Sequence, residues 1–154
     1  MSDRRSLIDV SARNLDHLGF TQIASKSDDV DTGSGITYTI WKKDGEKFLV
    51  RAKEYVYKEQ APFGTEHVRD ALKRDAWLMI YFDDRQKHYV FDPSTVWNVG
   101  DRTGGRSKRS NNRSWIEVPV TEGTLLEDFM RGDSPRGLDE TDRELKNTSL
   151  FDFL

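Results

Sequence analysis

The amino-acid sequence predicts an α/β sandwich, and three observations carry the prediction. Residues 36–43 and 46–53 alternate along the chain, are rich in β-branched and aromatic side chains, and flank Asp44-Gly45, a strong two-residue hairpin turn. Ala76 to Phe82 is an unbroken apolar run, the pattern of a strand covered on both faces. Helical spacing precedes each of them. In chain order, helix, hairpin, helix, buried strand and strand make a layered α/β domain.

Residues 4–18 carry Leu7, Ile8, Ala12, Leu15 and Leu18 at helical spacing, with Gly19 as the stop. Ser25 to Ser34 is a polar stretch holding Asp28, Asp29 and Asp31. The hairpin follows. With Asp44 and Gly45 as its loop, Lys43 faces Glu46, and counting back sets Tyr38 opposite Arg51. Side chains alternate along a strand, so Tyr38, Arg51 and Lys53 share one face with Ile36, Ile40 and Leu49. Trp41, Phe48, Val50 and Ala52 take the other face, the one expected to pack on a helix. Pro62-Phe63-Gly64 reads as a break in the chain, and Thr65 as the N-cap of a helix through Arg74. Asp83 to Lys87 is a turn, His88 to Phe91 begins another strand, Trp115 to Val120 reads as a strand and Thr124 to Met130 as a short helix.

Composition limits the chemistry. The 154 residues contain no cysteine, which excludes disulfide scaffolds, thiolate zinc sites, iron–sulfur clusters and cysteine nucleophiles. The net charge of −3 excludes a histone-like polycation, so any nucleic-acid site is local. No run approaches the roughly 18 apolar residues of a membrane span, and no apolar stretch follows Met1 to Arg5 as a secretory signal would require. A reducing, cytoplasmic setting is the expectation. His17, His67 and His88 do not cluster in the sequence, and no nucleophile triad, Gly-rich phosphate loop or zinc spacing stands out.

One basic segment breaks the near-neutral average. Residues 100–114 are Gly, Asp, Arg, Ser and Asn with no core former, and Arg102, Arg106, Lys108, Arg109 and Arg113 against Asp101 leave a net charge of +4. Trp97 and Trp115 border it. That composition suits a phosphate-contacting flap with aromatic rings for stacking. A solvated loop with no ligand is the alternative.

Residues 131–146 combine Pro, Gly and scattered charge and predict a disordered linker. The chain then ends Asn147-Thr-Ser-Leu-Phe-Asp-Phe-Leu154, with four large apolar residues among the last five. An apolar end on a polar tether calls for a cover. Leu150, Phe153 and Leu154 stand at i, i+3 and i+4, so one helical turn gathers them into a single plug. This spacing resembles the PIP box, the peptide by which replication and repair proteins bind the sliding clamp PCNA. Leu150 takes the aliphatic position, Phe153 the first aromatic and Leu154 the last, while Asn147 stands where the family has Gln. The resemblance implies docking in a groove of the clamp. The alternative is that the tail folds back onto its own domain or pairs with a second chain.

Residues 1 to about 95 resemble the PD-(D/E)XK nuclease superfamily, and within it the archaeal Holliday junction resolvases, in layout more than in identity. The shared features are a first helix ending in Leu18-Gly19-Phe20, the tight hairpin, a second helix and the apolar strand Ala76 to Phe82. The resemblance implies a restriction-endonuclease-like sandwich, with a central mixed sheet and flanking helices. It also implies a Glu and a Lys on the second hairpin strand and an Asp on the first, which in the family hold a divalent cation. Here Lys53 matches the Lys, but Arg51 stands at the Glu position and Tyr38 at that of the Asp; Asp9 alone matches an outlying acid of the first helix. Tyr, Arg and Lys offer no pair of hard anionic oxygens, so no metal site is expected from them.

The sequence therefore predicts a nuclease-like domain over 1–130, a linker over 131–146 and a PCNA-binding peptide over 147–154. Its expected function is a clamp-binding protein of DNA replication or repair, or of their inhibition, whose domain contacts DNA through Arg51, Lys53, Arg102, Arg106, Lys108, Arg109 and Arg113. No cofactor is expected. The alternative is an active endonuclease on branched or damaged DNA that uses Mg²⁺, with Lys53 catalytic and acids supplied from Glu59 or from Asp28, Asp29 and Asp31. A structural role for Arg51, paired with Asp9 or Glu59, is open, and the resolvase resemblance makes a homodimer worth testing.

Overall fold

The computed structural model describes residues 4–27, 36–104 and 114–132. The polar segment around Asp28, Asp29 and Asp31, the basic residues Arg106, Lys108, Arg109 and Arg113, and the whole tail from 133 onward lie outside them, as does the side chain of Arg102. Helix α1 (Arg4–His17) buries Leu7, Ser11 and Leu15, one residue per turn along a single stripe. It ends where the sequence predicts, by a hydrogen-bonded cap. Phe20 N–H donates to Leu15 O at 3.0 Å and Gly19 N–H to Asp16 O at 3.1 Å, and Gly19 has φ +94°. This is the Schellman arrangement, with Phe20 and Leu15 meeting in the core as its apolar partners. Leu18 falls beyond the helix and is exposed, a correction to the predicted stripe.

The hairpin of β2 (Ile36–Lys43) and β3 (Glu46–Lys53) has the predicted register, from Lys43 opposite Glu46 to Thr39 opposite Val50. The central sheet has six strands, in the order β1 (Thr21–Ser27), β2, β3, β5 (Ala76–Phe82), β6 (Lys87–Phe91) and β9 (Thr124–Leu125). β5 runs parallel to β3 and antiparallel to β6, so the sheet is mixed. Trp41, Phe48, Val50 and Met79 on one face pack with Leu15 of α1 and Leu126 of α4 (Leu126–Met130). Ile40, Leu49, Leu78 and Ile80 on the other face pack with Val68 and Ala71 of α2 (Thr65–Arg74) and Val96 of α3 (Pro93–Val99). The molecule is an α/β sandwich with helices on both faces of a central mixed sheet.

Five of the described elements depart from the predicted layout. β1 edges the sheet beside β2, with two register shifts. Its described side chains, Thr21 to Ser25, are exposed, so its sequence carries no apolar signal. A second sheet, of β4 (Gln60–Gly64), β8 (Ser114–Pro119) and β7 (Asp101–Gly104) in that order, lies over the same face as α2 and α3. β4 is the segment read as a break; Pro62 is accommodated because β4 is an edge strand. It runs directly into α2, which makes Gly64 the N-cap and Thr65 the first helical residue, with no side-chain cap. β7 occupies the start of the predicted basic loop and pairs with β8. Gly100, between α3 and β7, lies so close to β8 that a Cβ there would meet Ile116 Cγ2 at 2.3 Å. α3 has a start signal in the sequence that went unread, Asp92 accepting from Ser94 N–H at 2.9 Å and Pro93 in the first turn. β9 takes the first two residues of the predicted helix Thr124 to Met130, because they pair with Tyr89 and Val90 at the far edge of the sheet, and the helix, α4, begins only at Leu126.

Candidate nucleic-acid interface

The end of β3 leaves the core. Leu49 is buried, but Arg51 and Lys53, next on the same face, are only half-buried. Their ladder partners on β5 are Ile80 and Phe82, which are fully covered, so the sheet beneath the two cations is firm. β4 and β8 stand beside them and turn this end into a cleft of about 360 Å³. Arg51, Lys53, Tyr55, Tyr57, Gln60, Pro62, Trp115 and Glu117 line it.

Arg51 is fixed in place. Its Nη1 donates to Pro62 O at 2.8 Å, and its guanidinium lies 5.2 Å from the Trp115 ring centroid, within cation–π range. The carbonyl comes from the proline that the sequence presented as a break, so β4 itself orients the cation. The expected alternative partners lie elsewhere. Glu59 gives its carboxylate to Arg85, with contacts of 2.6 and 2.8 Å. Asp9 stands on α1, which packs against the opposite face of the sheet.

The rim loop is held from below. Asp83 N–H donates to Lys53 O and Asp84 N–H to Glu54 O, both at 2.9 Å, while Asp84 Oδ2 accepts from Val56 N–H at 3.3 Å. Gln60 N–H then donates to Tyr57 O at 3.0 Å, closing a tight turn whose central residues, Lys58 and Glu59, have φ of +52° and +56°. Two successive non-glycine residues at positive φ cost on the order of 1 kcal/mol each. The Arg85–Glu59 pair and a 2.9 Å bond from Val120 N–H to Glu59 O hold the turn in that form. Tyr55 and Tyr57 are thereby left 55% and 60% exposed at the cleft mouth.

Tyr38 does not join this cleft. Although it lies on the Arg51 face, it is only 7% exposed, its ring packs edge-on against His67 at 4.4 Å, and its hydroxyl donates to Asp70 Oδ2 of α2. Asp70 Oδ1 also accepts from Arg74 Nε at 3.0 Å. Burial first, and then the hydrogen bond to the Asp70 carboxylate, raise the Tyr38 hydroxyl pKa well above the usual tyrosine value. Tyr38 is thus closed in by α2, while Arg51 and Lys53 line the cleft.

The basic segment and the cleft share a strand. Trp115 pairs with Gly64 on one side and Thr103 on the other. Residues 105–113, which include Arg106, Lys108, Arg109 and Arg113, join Gly104 to Ser114, a ladder pair next to Trp115. The backbone of Arg102 lies on β7 opposite Ile116. What the sequence missed is the rim: Tyr55 and Tyr57 follow Lys53 in an irregular stretch with no periodicity to expose their role.

The described residues do not fit the divalent cation that the family resemblance implies. Glu117 is the one carboxylate lining the cleft, beside two cations. The nearby acids Asp83, Asp84 and Glu59 are engaged by Tyr81, Val56 and Arg85. Among the described residues no three Asp, Glu or His side chains are grouped to hold a metal. His67 and His88 are buried on opposite faces of the sheet, in contact with Tyr38 and with Ser11.

No protein-family model matches the chain, and no curated protein matches it. Among solved structures it is similar to that of D212, a nuclease from a fusselovirus, with a TM-score of 0.41 and 10% identity over 81% of this chain and 84% of that one. No helix of the described residues is long and apolar enough to cross a membrane.

Proposed function

We propose that this chain is a DNA-binding protein with a nuclease-like domain that does not hydrolyse DNA, and that its C-terminal peptide tethers it to the sliding clamp PCNA in replication, repair or their inhibition. One observation supports the DNA-binding, non-hydrolysing part above all. Among the described residues, the cleft at the end of β3 pairs Arg51 and Lys53 with a single carboxylate, Glu117. Two cations favour a phosphate and disfavour Mg²⁺, which needs several hard oxygen ligands. By sequence, the connection between β7 and β8 carries four more cations, Arg106, Lys108, Arg109 and Arg113, which suits an electrostatic attraction to DNA.

The clamp-binding part rests on sequence: Asn147, Leu150, Phe153 and Leu154 in the spacing of a clamp-binding peptide, after a polar tether. A tether makes a modest DNA grip sufficient, because the clamp holds the domain near the duplex at high effective concentration. The test is co-elution of the full chain with the clamp, together with a DNA shift at low salt. Wild type co-elutes, Phe153→Ala does not, and Lys53→Ala co-elutes but shifts DNA less. Clamp binding that survives truncation after Lys146 overturns the tether, and an absent DNA shift overturns the DNA reading.

A further inference from the structure

Resting on that DNA-binding reading, we infer that the cleft takes an unpaired nucleotide, so that single-stranded DNA, rather than duplex, is the form bound there. The cations account for the phosphate, and Trp115 holds Arg51, but Tyr55 and Tyr57 at the cleft mouth are left without a purpose. Two tyrosines more than half exposed, on a loop held by backbone bonds, Arg85 and a strained turn, are costly to present to water with nothing to cover them. Aromatic faces at a positively charged groove are the means by which proteins stack unpaired bases, and every base has a π-face to offer. In a duplex those faces are already stacked on their neighbours.

The dimensions agree. At about 360 Å³ the cleft lies near the lower end of the roughly 300–1,000 Å³ typical of small-ligand sites. That suits one nucleotide and is far too small for a double helix. The charges set its orientation. Lys53 and the Arg51 guanidinium, held on Trp115 and Pro62 O, attract the phosphate to the β3 side. Glu117, on β8, repels a phosphate and accepts from a base N–H. The nucleotide therefore lies with its phosphate toward β3 and its base toward the tyrosine rim and β8.

The experiment is fluorescence anisotropy of the full chain with a labelled single-stranded oligonucleotide and with a hairpin duplex of matched length, at low salt and with chelator present. Single-strand affinity exceeds duplex affinity. The Tyr55→Ala/Tyr57→Ala double variant loses roughly tenfold or more on the single strand and little on the duplex. The Tyr55→Phe/Tyr57→Phe double variant, which keeps the π-faces, retains wild-type affinity, and circular dichroism establishes that each variant is folded. Equal affinity for both forms, unaffected by either tyrosine variant but lowered by Lys53→Ala, overturns the inference and leaves the DNA-binding reading standing. Binding to neither form overturns both.

Discussion

The two arms of the β2–β3 hairpin present polar side chains on one face and meet opposite surroundings. On β2, α2 places His67 against the Tyr38 ring and Asp70 at its hydroxyl, so that position is closed and internally bonded. On β3, β4 and β8 wall Arg51 and Lys53 without covering them, and the position is open. Register assigns both arms to one face; the elements that arrive later in the chain decide which arm becomes core and which is left open as a cleft. The closed arm should govern stability, and the open arm should govern DNA.

The largest way to break that division is to separate the two sheets. Phe63, buried between them against the Phe91 ring, should cost roughly 3–5 kcal/mol when replaced by Ala. Urea denaturation reads the loss, and DNA binding should fall with it, because the cleft wall and the core share β4.

Acidification is the next. His88, 6% exposed on the opposite face, shares a 2.8 Å hydrogen bond with Ser11 Oγ, and burial pushes its pKa down to about 4. The unfolded chain, with an ordinary histidine, binds more protons between about pH 6.5 and 4, so stability falls as pH drops through that window and this contribution levels off below it. The span corresponds to about 3 kcal/mol. Thermal melts across it should show the decline, and in His88→Gln this component should be absent.

A smaller and more discriminating contrast compares the arms themselves. Asp70→Ala leaves the Tyr38 hydroxyl without its carboxylate and should cost about 1–3 kcal/mol while DNA affinity is unchanged. Lys53→Ala, at the half-buried end of β3, should change stability by no more than about 0.5 kcal/mol, while weakening DNA binding and lowering its dependence on salt by about one phosphate contact. If the two effects were exchanged, the division between arms would be wrong.

The sequence made the hairpin legible to the residue because Asp44-Gly45 fixes both turn type and register, and β5 legible because seven apolar residues in a row admit little else. It hid β1, whose described side chains all face water, and β4 and β7, whose short polar or proline-containing segments become strands only by pairing with β2 or β8. The site was half legible for the same reason. Arg51 and Lys53 follow from alternation along β3, but Tyr55, Tyr57, Pro62 and Glu117 reach the cleft through tertiary packing that has no period in the chain. Asp92 and Pro93 are a different case, a helix start legible in the sequence as an N-cap and a first-turn proline.

The proposal is that the cleft at the end of β3 holds DNA without cutting it. It is tested most directly by incubating the full chain with junction, flap and single-stranded DNA in Mg²⁺ and in Mn²⁺, reading retardation and cleavage from the same samples. The account predicts retarded, intact DNA with either metal, and less retardation with Lys53→Ala. Metal-dependent cleavage that disappears in Lys53→Ala would contradict it.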